Sequence, residues 1–258
     1  ALDGQYASNA TNAAAGSPGR TGFYASSIGE LSVRNCFFRN FSFYGIYAWG
    51  PSDTTNTRDS KWLIEGNSFS NCWEAIELVN NRAEYSRIVG NYFDNCAYGI
   101  VAGSANALIT GNVINDGLVG ININGTSGTR GHNNVTANHI NHNVYPLVIT
   151  TATGTDVTGN EIMGGGILWL TNASGVNISG NLMELTEMRF TGGGANRVQN
   201  NSIIETIPTV THNYGGSVSR TFVLNNMSAL GRAVPASPLL TLVAAGNITN
   251  NYDKLRVV

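Results

Sequence analysis

The sequence predicts an all-β chain wound as a single-stranded right-handed parallel β-helix of about ten rungs with an Asn ladder. Three observations carry this expectation. A four-residue pattern, apolar, any residue, small or polar residue, then Asn, recurs at intervals of 20 to 32 residues. The apolar residues around each copy alternate with polar ones, which is the period of a strand with one face inward. Gly (31 residues) and Asn (34 residues) fill about a quarter of the 258-residue chain, and both tolerate the left-handed backbone angles that tight turns need.

Taken in order, the copies begin with the shortened VRN at 33–35, then IEGN at 64–67, IVGN at 88–91 and ITGN at 109–112. VTAN (135–138), VTGN (157–160), ISGN (178–181) and VQNN (198–201) follow, with weaker copies VLNN (223–226) and VAAGN (243–247). The repeat asparagines are therefore Asn35, Asn67, Asn91, Asn112, Asn138, Asn160, Asn181, Asn201, Asn226 and Asn247. A fixed Asn can take the left-handed angle at a turn while its amide bonds the rungs above and below, so these residues are expected to be structural rather than sugar-binding. A second short strand follows each copy: GIYA at 45–48, AIEL at 75–78, GIVA at 99–102 and GINI at 120–123. Leucine-rich repeats and helical repeats share the period, but their fixed leucines and 3.6-residue apolar spacing are absent.

The register divides the chain into an irregular first rung or linker (1–27), a regular β-helix (28–205) and looser C-terminal rungs (206–258). The last part is read as a cap or oligomerisation region, because an open solenoid end exposes unpaired strand edges. A chain opening at Ala1 reads as processed or excised from something longer. Charged residues make up 12% of the chain and the net charge is −2, against about 25% charged in ordinary soluble domains. There is no basic stripe to contact nucleic acid and no run approaching the ~18 apolar residues of a membrane span. Three cysteines argue against a disulfide framework. Cys72 and Cys96 each fall five residues past a repeat Asn and should stack inside adjacent rungs as free thiols. His132, His139, His142 and His212 do not cluster, so neither a metal nor another cofactor is expected.

Segments such as IEGNSFSNCWEAIEL (64–78) and IVGNYFDNCAYGIVA (88–102) resemble the pectate-lyase-like superfamily of right-handed parallel β-helices. The Asn-rich, Lys-poor character is similar to bacteriophage tailspike proteins. That resemblance implies a homotrimer on the virion tail, joined to other tail proteins, which binds and depolymerises a bacterial capsule or O-antigen polysaccharide. A secreted protein is the alternative location. A polysaccharide lyase of the same fold and a non-catalytic glycan-binding adhesin or virion fibre are the alternative activities.

The register also names the residues that share a surface. Ten past the repeat Asn lie Glu77, Val101, Asn122 and Val148, with Tyr47 leading the row and Trp169 and Arg189 continuing it. Aromatic faces stack on sugar rings while amides and guanidinium groups bond hydroxyls or uronates. Tyr47, Trp73, Arg82, Asn122, Trp169 and Arg189 are therefore the candidate substrate-binding residues. A partly buried trimer face is the other use of such a row. Glu74 and Glu77, in WEAIE, are the first-choice catalytic pair, expected roughly 5–10 Å apart as in glycosidases, with one carboxyl raised in pKa to act as acid. Glu161, Glu184 and Glu187 form the second-choice group.

Overall fold

The computed structural model describes residues 2–3, 21–26, 30–49, 61–79, 84–103, 105–125 and 131–205, followed by the strand segments 212–213, 222–224, 227–230, 240–241, 247–249 and 252–253. Among these residues every regular element is a β-strand, and every strand pairing is parallel. The strands form a ten-stranded sheet and a nineteen-stranded sheet that together wrap one right-handed coil. About seven turns are complete, fewer than the ten expected. Most of 1–27 and 206–258, and the inserts at 50–60 and 80–83, lie outside the described residues.

One turn shows the rule. Arg87–Val89 runs in the ten-stranded sheet, and Gly90 then turns the chain at φ 62°. Asn91 follows, then Tyr92–Asp94, a second left-handed turn at Asn95 (φ 51°), and Tyr98–Ala102. In Val113–Asn124 and His139–Thr150 the last two strands run through the bend without a break.

The asparagine ladder is real, and its geometry corrects the expected one. Asn67, Asn91, Asn112, Asn138, Asn160, Asn181 and Asn201 are buried in register. The backbone N–H of each of the first six donates to the Oδ1 of the next at 2.9–3.0 Å. Their side-chain Nδ2 groups reach back to a carbonyl of the preceding rung, as Asn91 does to Ile64 at 3.0 Å. The left-handed residue is the one before the ladder position: Gly66, Gly90, Gly111, Ala137, Gly159, Gly180 and Asn200. Asn35 belongs to that column (φ 53°) and is exposed, while Cys36 takes the ladder place and donates its N–H to Asn67 Oδ1. Asn247 also leaves the ladder, because it pairs with Phe222 in the strand four residues ahead of that position. Asn226 lies outside the described residues.

Inside the coil, apolar side chains stack in columns at the ~4.8 Å strand spacing. Phe38, Phe69 and Phe93 form one, with ring centroids 5.0 and 4.9 Å apart and planes within 7°. The column continues through Ile114, Ile140, Ile162 and Met183. Cys72 and Cys96 are buried free thiols on neighbouring rungs, and their Sγ–H groups donate to Ser70 O and Asp94 O, each at 3.6 Å.

Candidate functional site

The outward face of the nineteen-stranded sheet carries most of the candidate residues. Strand pairing aligns Tyr24, Tyr47, Glu77, Val101, Asn122, Val148, Trp169 and Arg189 as one file, one residue per rung. A second file, outside the interior cluster though buried at Tyr44 and Val119, stands three residues earlier: Tyr44, Glu74, Tyr98, Val119 and Tyr145. Strict alternation would not present residues i and i+3 on the same face. Of the two residues between them, both buried, the first is Gly45, Ala75, Gly99 or Gly120, and the three glycines lie tucked against the adjacent rung's backbone. A Cβ on Gly99 would sit 2.6 Å from the Gly120 carbonyl oxygen, so the tuck requires a small residue. That kink brings Glu74 beside Glu77.

The two carboxyls are closer than the sequence spacing suggests. They stand within hydrogen-bonding reach of one another, and the Tyr44 hydroxyl lies within reach of Glu77 as well. Burial, then the Glu77 charge, then the bond to Glu77 push the Glu74 pKa up to about 8. Glu74 therefore keeps its proton at neutral pH, beside Glu77. Burial raises Glu77 too, opposed by the bonds from Tyr44 and Glu74. Glu77 Oε2 is nonetheless buried with no hydrogen-bond partner. Aromatic rings enclose the pair. Tyr44 is buried with its phenol shifted upward, and Tyr47, pushed up to about 12 by burial and by Glu77, stacks on Tyr24 at 5.5 Å. Tyr98 pairs with Glu74 across the rungs, and its ring lies 5.9 Å from that of exposed Trp73.

The remaining candidates spread along the rod. Asn122 lies two rungs beyond Glu77, ~9.6 Å at strand spacing, and its Oδ1 is buried without a partner. Trp169 is two rungs further, stacked on Tyr145 at 6.0 Å and donating its Nε1–H to Thr191 Oγ1 at 3.3 Å. Arg189 is not an open cation. It clasps Glu187 through Nε–Oε1 at 3.0 Å and Nη2–Oε2 at 3.2 Å. Arg82 lies outside the described residues.

The second carboxylate group does not converge. Glu161 pairs with His139 Nδ1 at 2.9 Å, Glu187 is held by Arg189, and Glu184 stands on a separate strand, Leu182–Glu184. Tyr44, Tyr98 and Tyr145 join the expected residues on this face. Their signal was present, because Tyr44/Tyr47 and Tyr98/Val101 repeat the spacing of Glu74/Glu77.

Residues 2–162 match the family model described as "Right handed beta helix region". That span covers well over half of the chain, which therefore belongs to this family. No curated protein matches the chain. The fold is one that suits polysaccharide-acting proteins in general.

Proposed function

We propose that this protein binds a bacterial surface polysaccharide, capsule or O-antigen, along the outward file and hydrolyses it at Glu74 and Glu77. The observation that carries the reading is the proton-sharing carboxyl pair on an open, aromatic-lined face. From Glu77 to Trp169 the file runs four rungs, ~19 Å at strand spacing. A polymer could engage both ends, whereas a single sugar could not. In the reaction Glu74 gives its proton to the glycosidic oxygen as the bond to the anomeric carbon breaks. Water adds to that carbon and its proton passes to the Glu77 carboxylate. Substrate must first part the pair, because retaining enzymes hold their carboxyls at ~5–5.5 Å and inverting ones at ~6.5–9.5 Å.

The short contact between the carboxyls also supports a second reading, a tailspike-like fibre or adhesin in which the pair only bonds sugar hydroxyls. Incubation with purified capsule and O-antigen polysaccharides separates the two. Hydrolysis releases new reducing ends that are lost in Glu74→Gln and Glu77→Gln. Unsaturated uronate absorbance would mark a lyase, and an intact but bound polymer would mark the adhesin. Full cleavage by both variants would remove this pair from the reaction.

A further inference from the structure

Beside the carboxyl pair, around the bend that precedes it, lies a hollow of about 700 Å³. We infer that this hollow is a binding subsite for one uncharged sugar residue, a neutral hexose or N-acetylhexosamine, stacked against Trp73. The inference rests on the glycan reading above and specifies which sugar chemistry the site takes.

Trp73, Ala97 and Leu118 sit on successive rungs, linked by Tyr98 N–H to Trp73 O (2.8 Å) and Leu118 N–H to Ala97 O (3.1 Å). The two large residues are exposed, Trp73 by 45% and Leu118 by 39%, although an apolar interior lies behind them. Ala97 between them leaves a notch two rungs wide, ~9.6 Å, which admits one ring in contact with both sides. A saturated sugar ring with its axial C–H face is the ligand an indole face suits, and its edge still needs hydrogen bonds.

The rim supplies those bonds. Asn71, Asn95, Asp116 and His142 occupy the same left-handed turn on successive rungs (φ 49–52°) and line the hollow. Asn95 Nδ2 donates to Asn71 Oδ1 at 2.6 Å, continuing a surface amide ladder. At the next rung the ladder changes to Asp116, which faces His142 Nδ1 at 3.5 Å. The change from amide to carboxylate falls at the notch. No Lys or Arg is among the described residues lining the hollow, while Asp116 and the neighbouring Glu77 would repel a uronate, sialate or phosphate. Hydroxyl and acetamido N–H donors are what the rim accepts.

The test is saturation-transfer NMR on the full chain with galactose, rhamnose and N-acetylglucosamine, against galacturonate and N-acetylneuraminate. At least one neutral sugar should give signal and neither acid should. Trp73→Ala, a change at an exposed position, should weaken binding about fivefold or more, equivalent to about 1 kcal/mol of stacking. Trp73→Phe should restore most of it, and Asp116→Asn should alter which sugars bind without a change in melting temperature. Preferential binding of the acids, no neutral sugar bound, or full binding by Trp73→Ala would overturn the inference. The two readings fail separately. Trp73-dependent binding without any cleaved polymer would leave the subsite standing and sink the hydrolase. Cleavage indifferent to Trp73 and Asp116 would do the reverse.

Discussion

The ladder asparagine Asn112 makes five side-chain hydrogen bonds at once, and few side chains could replace it. Asn112 Oδ1 accepts the backbone N–H and the Nδ2 of Asn91, while its own Nδ2 donates to Ile88 O, Thr110 O and Asn138 Oδ1. Asn112→Ala strands the buried N–H of Asn91 and should cost about 2–4 kcal/mol, since each buried group left unpaired costs about 1–3 kcal/mol. Asn112→Asp should cost at least as much, because it sets a carboxylate against three acceptors. Asn35→Ala, at an exposed turn outside the ladder, should cost under about 1 kcal/mol, a left-handed residue losing its tolerant side chain. Urea denaturation of the three variants checks the order. At the carboxyl pair the sign of the pH dependence follows from the raised pKa. Glu74 is protonated in the fold up to about 8, but ionises near 4.3 when unfolded. Its contribution to stability is thus complete below about pH 4 and is lost as pH rises towards 8. Glu74→Gln removes that loss. Its melting temperature relative to the native chain should rise by several degrees between about pH 5 and pH 8.5. A constant difference would mean that Glu74 is ionised throughout. If Glu74 is the proton donor, cleavage should fall on the alkaline side near the same pKa.

At the scale of a strand, the site depends on a residue that never touches it. Glu74 and Glu77 face the same way only because the chain tucks a small residue between them, and the same tuck recurs at Gly45, Gly99 and Gly120. At Gly120 a Cβ would meet Pro146 O at 2.6 Å and Ile140 Cγ2 at 2.8 Å. Backbone oxygen in a paired strand cannot give way, so Gly120→Ala should destabilise by about 2 kcal/mol. Gly90→Ala is the control. Its Cβ would meet open space, and only the left-handed angle (φ 62°) works against it, at about 1 kcal/mol. Thermal melts of the two variants separate steric from conformational cost. A Gly120→Ala variant as stable as Gly90→Ala would show that the rungs are not tightly coupled there.

For the molecule as a whole, each rung buries its columns only by stacking on the next, so the rod is stabilised by neighbour contacts along its length. The outward file mixes Tyr47, Trp169 and half-buried Val101 and Val148 with the polar candidates. Such a face could serve a polymer or another copy of the chain. The proposed tailspike-like assembly predicts a solution mass near three times 27.3 kDa, measured by light scattering at micromolar concentration. A monomer there would discard the trimer and free the whole file for glycan. The coil, its right-handed parallel stacking and the ladder from Asn67 to Asn201 were legible in the sequence, because a period near 22 residues must align identical environments wherever rungs stack. The outward file could be counted from the same register. Tertiary structure alone decided what the period cannot encode. It moved Asn35 and Asn247 off the ladder, since one residue of slip changes which atom meets the neighbouring rung. It paired Glu187 with Arg189 along one strand and Glu161 with His139 across two rungs, because the direction a long side chain takes is not encoded in a spacing. It also brought Glu74 and Glu77 into contact, since a buried small residue between them bends the strand by an amount no pattern of apolar and polar letters records.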